Sequence, residues 1–162
     1  YEIKDKFQEK QSFGGIKSVH PYIIQPSLIE SKNEMVAALY KGVDENFDWG
    51  EMNKYLVKGS KIDINDTTNN QIVISKIIAD KLNLDINKKM IITFIKDKAK
   101  IKKALLIKGI YKTGLEEYDN RFIIGNVSLS QSILEWGKDE FSGIEIMLDD
   151  IRDMDVMNEY IY

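Results

Sequence analysis

Residues 104–126, ALLIKGIYKTGLEEYDNRFIIGN, decide how the rest of the chain is read. Leu105, Leu106, Ile107, Ile110 and Tyr111 predict a strand too apolar to face water on both sides, and Phe122, Ile123 and Ile124 predict a second. The polar turn between them, residues 112–121, carries the least generic residues of the sequence. Gly109 interrupts a β-pattern, where a missing side chain marks a bulge or a close backbone approach, and Gly114 can take positive φ as the chain reverses. Glu116, Glu117 and Asp119 are the candidate acid/base or metal-binding carboxylates. Neighbouring acids on a turn are usually solvated or cap backbone N–H groups, and a catalytic pair needs surroundings that split its pKa values. No such partners stand nearby in the sequence, so the turn reads as structural.

Working outward toward the N-terminus, Met90 to Ile95 predicts a strand, and residues 96–100 (KDKAK) a tight basic turn into the long apolar one, which together make a β-hairpin. Gln71 to Ile74 predicts a short strand, and Ser75 caps a helix bearing Ile78, Ala79 and Leu82 on one side. Residues 61–70 form a polar loop. Asp63, Asn65 and Thr67 approach the spacing of a calcium loop, but Thr68 and Ile74 replace its glycine and its final glutamate, so that assignment is rejected. In ENFDWGEMNKYLVKG the cluster Phe47, Trp49, Met52, Tyr55 and Leu56 can form an apolar-ligand surface, but a short helix that tucks it inward, starting at Asp44 or Asp48 and stopping at Gly59, is the favoured reading. Residues 16–30 and 35–43 predict a hairpin whose first strand, holding Pro21 and Pro26, is irregular or at an edge. Ile3 and Phe7 among charges, before Gly14-Gly15, predict a helix over residues 1–13.

Toward the C-terminus, Ser128 or Ser130 is expected to cap the helix SLSQSILEW. Ile144, Ile146 and Leu148 alternate with Glu145 and Met147 as in a half-buried strand. The closing residues DDIRDMDVMNEYIY predict a last helix, capped at Asp150 or Asp153.

A chain of 162 residues that is 43% hydrophobic and 30% charged can bury a sizeable core. Its net charge of −3 argues against nucleic acid as a partner. Only Arg121 and Arg152 of the 23 basic residues are arginine, so bidentate phosphate recognition is scarce. The absence of cysteine excludes disulfides, thiol nucleophiles, iron–sulfur centres and most structural zinc sites. His20, the one histidine, precedes Pro21 and reads as a strand residue rather than a triad member or ligand. Walker A, G-x-G-x-x-G, H-E-x-x-H and G-x-S-x-G motifs are missing. No apolar run approaches the ~20 residues that span a bilayer. The chain begins at Tyr1 rather than methionine, which is expected of a processed protein or of a domain cut from a longer one.

Read in order, Val19-x-Pro21, Gly42-Val43-Asp44, Tyr55-Leu-Val-Lys-Gly59, Ile72-x-Ile74 with Ile78-Ala79-x-x-Leu82, Gly109-Ile-Tyr-x-x-Gly114-x-x-Glu117-Tyr118-Asp119 and Gly143-Ile-x-Ile-x-Leu148-Asp149 form a series. Across nearly the whole chain this resembles the periplasmic domain of LolC/LolE-type lipoprotein-releasing permeases, within the wider MacB and FtsX group of ABC transporters. The resemblance implies an α+β, two-lobed MacB-like domain. Residues 1–58 and 143–162 would form a mixed α/β Porter-like lobe, and residues 59–142 a mainly β Sabre-like lobe.

It implies no catalysis and no cofactor. The domain would lie on the periplasmic face of the inner membrane, inserted between two membrane helices, with Tyr1 and Tyr162 close together. Its partners would be a cytoplasmic ABC ATPase, a second permease subunit, a lipoprotein or other envelope cargo, and a periplasmic carrier. In carrier-recruiting members a protruding, often proline-containing loop occupies the hairpin that here closes over Lys96, Asp97, Lys98 and Lys100. The short, proline-free turn departs from that pattern and makes those residues candidates for a different partner contact. A MacB-like exporter and an FtsX-like signal transmitter are alternatives within the group. A free-standing hydrolase using Glu116, Glu117 or Asp119 is the alternative outside it.

Overall fold

The computed structural model describes residues 16–148, except 33 and 69. The helices expected over residues 1–13 and 149–162, and the expected proximity of Tyr1 and Tyr162, lie outside them. The elements run β1 (Ile16–Ser31), β2 (Glu34–Val43), α1 (Trp49–Asn53), β3 (Leu56–Gly59), β4 (Gln71–Ser75), α2 (Lys76–Lys81), β5 (Lys89–Lys96), β6 (Ala99–Tyr111), α3 (Glu116–Asp119), β7 (Phe122–Asn126), α4 (Val127–Leu134) and β8 (Gly143–Leu148).

Among the described residues the eight strands form one sheet. Its pairings close on themselves, from β1 to β2, β7, β4, β6, β5 and back to β1. β2 with β7 and β4 with β6 are parallel, while the other pairs of the circuit are antiparallel. Closure removes most of the unpaired edges that invite association. β3 adds to the end of β6, and β8 adds to the start of β1. The circuit draws on both of the residue ranges expected as separate lobes.

One face of these strands turns to a continuous apolar cluster. Tyr40, Ile72, Ile74, Phe94, Ile107 and Ile123 are fully buried in it, and α2 and α4 add Ile78, Ala79, Leu129 and Ile133. Each such side chain contributes about 1.5–3 kcal/mol through removal from water. Because side chains alternate along a strand, the next residues face the other way: Val43, Val73, Tyr111 and Ile124 form a second, smaller cluster with Trp49 and Met52.

Several expectations need correction. β1 is irregular, as one of the two expectations had it, its register slipping between Ile16 and Ser18, but it is not at an edge: it pairs with β2 along one side from Tyr22 onward, and with β8 and then β5 along the other. Its prolines are tolerated because each falls where one side is open. Pro21 precedes the β2 pairing, and Pro26 lies between the β8 pairing, which ends at Tyr22, and the β5 pairing, which starts at Ser27.

The helix expected to reach Gly59 ends at Asn53, and Leu56–Gly59 is a strand, because Leu56 and Gly59 find a partner edge opposite Tyr111 and Gly109. Asn126, rather than Ser128 or Ser130, caps α4 by accepting a 2.9 Å bond from the Ser128 amide. Trp136 lies past that helix, which ends with Glu135 in the left-handed region. Ser75 does cap α2, through the Ile78 amide at 3.1 Å.

The hairpin of β5 and β6 closes through Asp97 and Lys98 alone, both with positive φ. That is the two-residue turn whose twist matches the flanking strands.

Candidate functional site

The turn after β6 is built by Asp119, which is buried. One carboxylate oxygen accepts bonds from the Thr113 amide at 3.1 Å and the Thr113 hydroxyl at 2.6 Å, and the other accepts from the Gly114 amide at 3.1 Å. Gly114 takes φ +83°, a conformation that costs an L side chain about 1–2 kcal/mol. At Gly109 the pairing of β4 with β6 slips by one residue, and an added Cβ would stand 2.4 Å from the Ser60 carbonyl oxygen. A bulge and a close approach therefore coincide there. Tyr118 stacks on Phe122, ring centroids 4.6 Å apart, and meets Tyr111 edge-on at 6.0 Å. Burial pushes the Tyr111 and Tyr118 hydroxyls well above the usual phenol range, so both stay neutral. Glu116 and Glu117 are exposed.

Residues 96–100 lie at the far end of the hairpin. Lys96 reaches Glu135 at 2.6 Å, while Asp97, Lys98 and Lys100 are exposed. From Lys88 to Lys108 the sequence holds eight lysines against one aspartate, so this hairpin is strongly basic on a chain whose net charge is −3.

A third group was not anticipated as a unit. Lys41, in the middle of β2, is only 4% exposed, and its ammonium is bonded to a carboxylate oxygen of Glu145 on β8. The ammonium also lies 5.5 Å from the Tyr22 ring centre and 5.8 Å from that of Phe47, where the ring faces favour a cation. His20, buried to 1% exposure, faces the second Glu145 oxygen with Nδ1 at 3.5 Å, and that nitrogen has no hydrogen-bond partner. Desolvation by burial lowers the His20 pKa, and Lys41 adds to that effect. Glu145, Asp44 and Asp48 oppose it without cancelling it.

Asp48, which caps α1, accepts the Glu51 amide at 2.9 Å and stands 3.3 Å from the Lys17 ammonium. The backbone bond, assisted by Lys17, holds its carboxyl below the usual range.

His20, Lys41 and Glu145 share an open cleft of about 530 Å³ with Phe47, Met52, Tyr55, Thr113, Leu115 and Tyr118. The cleft thus brings the predicted turn residue Tyr118 together with His20, and excludes the hairpin residues Lys96, Asp97, Lys98 and Lys100. The signal available for Lys41 was a lone charge in a strand otherwise ending in buried positions at Gly42 and Val43. Nothing local to the sequence pairs it with Glu145, 104 residues away. Among the described residues no group of three or more His, Asp or Glu side chains gathers to hold a metal ion.

The arrangement defines a strand-dominated, mixed α/β domain with a half-buried ion pair and an apolar cleft on its outer face. No protein-family model matches the sequence, and no curated protein matches it. Solved structures do. The periplasmic region of MacB from Actinobacillus actinomycetemcomitans superposes with a TM-score of 0.61 at 18% identity, covering 98% of this chain and 70% of that one. The extracellular domain of the noncanonic ABC-type transporter YknZ from Gram-positive bacteria gives 0.58 at 14% identity, covering 94% and 76%. The fold is that of MacB-like extracytoplasmic domains. No helix among the described residues is long and apolar enough to cross a membrane.

Proposed function

We propose that this chain is the non-catalytic extracytoplasmic domain of an ABC-type permease, held at the periplasmic face of the inner membrane as part of a multi-pass protein. Its work is to couple ATP hydrolysis by a cytoplasmic ATPase to the movement of cargo outside the membrane. The observation that carries this reading is the fold shared with the MacB and YknZ domains over nearly the full length. Within that class the sequence motifs favour lipoprotein release, with a second permease subunit and a lipoprotein or other envelope protein as cargo. A MacB-like exporter and an FtsX-like transmitter remain the readings next in line.

The carboxylates of the turn support a role without catalysis. Asp119 is committed to three bonds within its own loop, and Glu116 and Glu117 stand exposed. A general acid or base needs a carboxylate free to reach the proton it moves, and Asp119 spends both oxygens on its own loop.

The basic hairpin residues Lys96, Asp97, Lys98 and Lys100 are proposed as a partner contact, and because their short, proline-free turn departs from the carrier-recruiting pattern the partner proposed is an envelope protein other than a carrier. The two lobes, residues 1–58 with 143–162 and residues 59–142, are proposed as regions of one continuous sheet rather than separable bodies.

The test is made on the polypeptide as the cell produces it. Purification from membranes should recover this segment within a multi-pass chain together with an ATPase, and a photo-crosslinker at Lys98 should trap an envelope protein in an ATP-dependent manner. Recovery of the segment as a free soluble protein, with no membrane partner, would overturn the reading.

A further inference from the structure

β8 is fastened to the sheet along one side. Among the described residues it pairs with β1 alone, from Ile16 opposite Leu148 to Tyr22 opposite Gly143, with an irregularity near Ser18, and its Ile144 is 45% exposed. Its one charged anchor is Glu145, which reaches across β1 to the ammonium of Lys41 on β2. The asymmetry between the partners is what gives the contact leverage. The Lys41 side chain is 5% exposed, whereas that of Glu145 is 39% exposed. If β8 lifts, the carboxylate returns to water at little cost, but the ammonium is left inside the protein without a counter-charge, which is unfavourable. The pair therefore opposes opening of this strand in particular, because the circuit of β1, β2, β7, β4, β6 and β5 closes without β8.

We propose that Lys41, Glu145 and His20 form a proton-sensitive latch that fastens β8 to the body of the domain. Closed, the latch keeps β8 continuous with the sheet, so that displacement of the chain beyond Leu148 is passed to the strand circuit. Open, β8 moves separately and the circuit does not follow. The inference rests on the packing of these side chains and on the burial of His20, and stands whether or not the permease reading holds.

Proton sensitivity comes from His20, beside Glu145 on β8, Lys41 on β2, Asp44 in the segment after β2, Asp48 at the start of α1, and the Phe47 ring. Protonation would put a second cation next to Lys41 in a buried place, with one shared carboxylate between them. Burial disfavours the charged imidazole in the closed arrangement, so by linkage protons favour the open one.

The latch is tested by hydrogen exchange, resolved by residue, on the 162-residue chain. Glu145→Gln and Lys41→Met should each speed exchange in β8 and in the facing half of β1 by about tenfold or more, with β2 and β7 changing by less than about twofold. The double variant should be no faster than the faster single one, since both remove the same contact. Lys41→Met also serves if Glu145→Gln fails to fold, because its freed carboxylate is part exposed. In the wild type, lowering the pH from about 7.5 to about 5.5 should weaken β8 protection beyond the intrinsic pH effect, and in His20→Gln it should not. Uniform loss of protection across all strands, unchanged β8, additive single effects, or an identical acid response in His20→Gln would each overturn the proposal.

Discussion

Tyr40 and Lys41 are neighbours in β2, almost equally hidden from solvent, and they are secured in opposite ways. Tyr40 points into the main apolar cluster, meets Phe94 edge-on at 5.3 Å, and gives its hydroxyl proton to the Asn126 carbonyl at 3.1 Å. Its surroundings come from strands that hydrogen-bond to one another in a closed ring, so no single element can leave without disturbing the others. Lys41 points to the opposite face, and its counter-charge belongs to a strand that, among the described residues, is attached on one side only. The inner face is thus held by many small, non-directional contributions; the outer face has a smaller apolar cluster of its own, but around Lys41 it is held by a few polar contacts whose loss is concentrated at one place. Stability should reside in the first and conformational response in the second.

The largest effect should follow from damaging the inner face. Ile123→Ala removes a fully buried side chain and should cost about 3–4 kcal/mol in urea unfolding. In the wild type, Trp49 fluorescence and far-ultraviolet circular dichroism should report one coincident transition, because a single circuit spans both proposed lobes. Two separated transitions would break the comparison by showing that the regions fold independently.

Asp119→Ala comes next. It strands the Thr113 and Gly114 amides and should cost about 2–3 kcal/mol, whereas Glu116→Gln and Glu117→Gln, which change exposed groups, should stay within about 0.5 kcal/mol. Comparable losses from all three acids would assign the turn a role that geometry does not. Gly114→Ala, with open space around it but positive φ, should cost about 1 kcal/mol in the same assay.

The smallest effect concerns pH. The His20 pKa in the folded chain lies below its usual 6.5, so the unfolded chain takes up the proton first as the solution is acidified. Its contribution to stability is therefore complete above that value and is lost as pH falls from about 6.5 toward the folded value. Unfolding curves at a series of pH values should show this slope in the wild type and lack it in His20→Gln.

Much of the fold could be read from the chain. The β5–β6 hairpin, the β4 strand with its Ser75 cap, and the positive φ of Gly114 all depend on residues within a few positions of one another. Alternation, capping and turn conformation are local, and these preferences survive folding where no tertiary contact competes with them. The misreadings have a common cause. Pro21 and Pro26 suggested an edge because a proline removes one donor. Whether that donor would have met a partner depends on where β8 stops and β5 starts. Leu56–Gly59 became a strand because the end of β6 offered an edge, and Asn126 displaced the serines as a cap because β7 delivers the chain into α4 at that residue.

The candidate site divides in the same way. From the amino-acid order alone came the turn of Gly109, Gly114, Glu117, Tyr118 and Asp119, the basic hairpin, and a chain without cysteine-based chemistry. Tertiary structure alone decided that Lys41 is buried, that Glu145 answers it, and that His20 faces the same carboxylate. The physical reason is that burial and charge pairing belong to neighbours in space. A lysine in β2 acquires its counter-charge only when β8, 104 positions further along, is laid against β1.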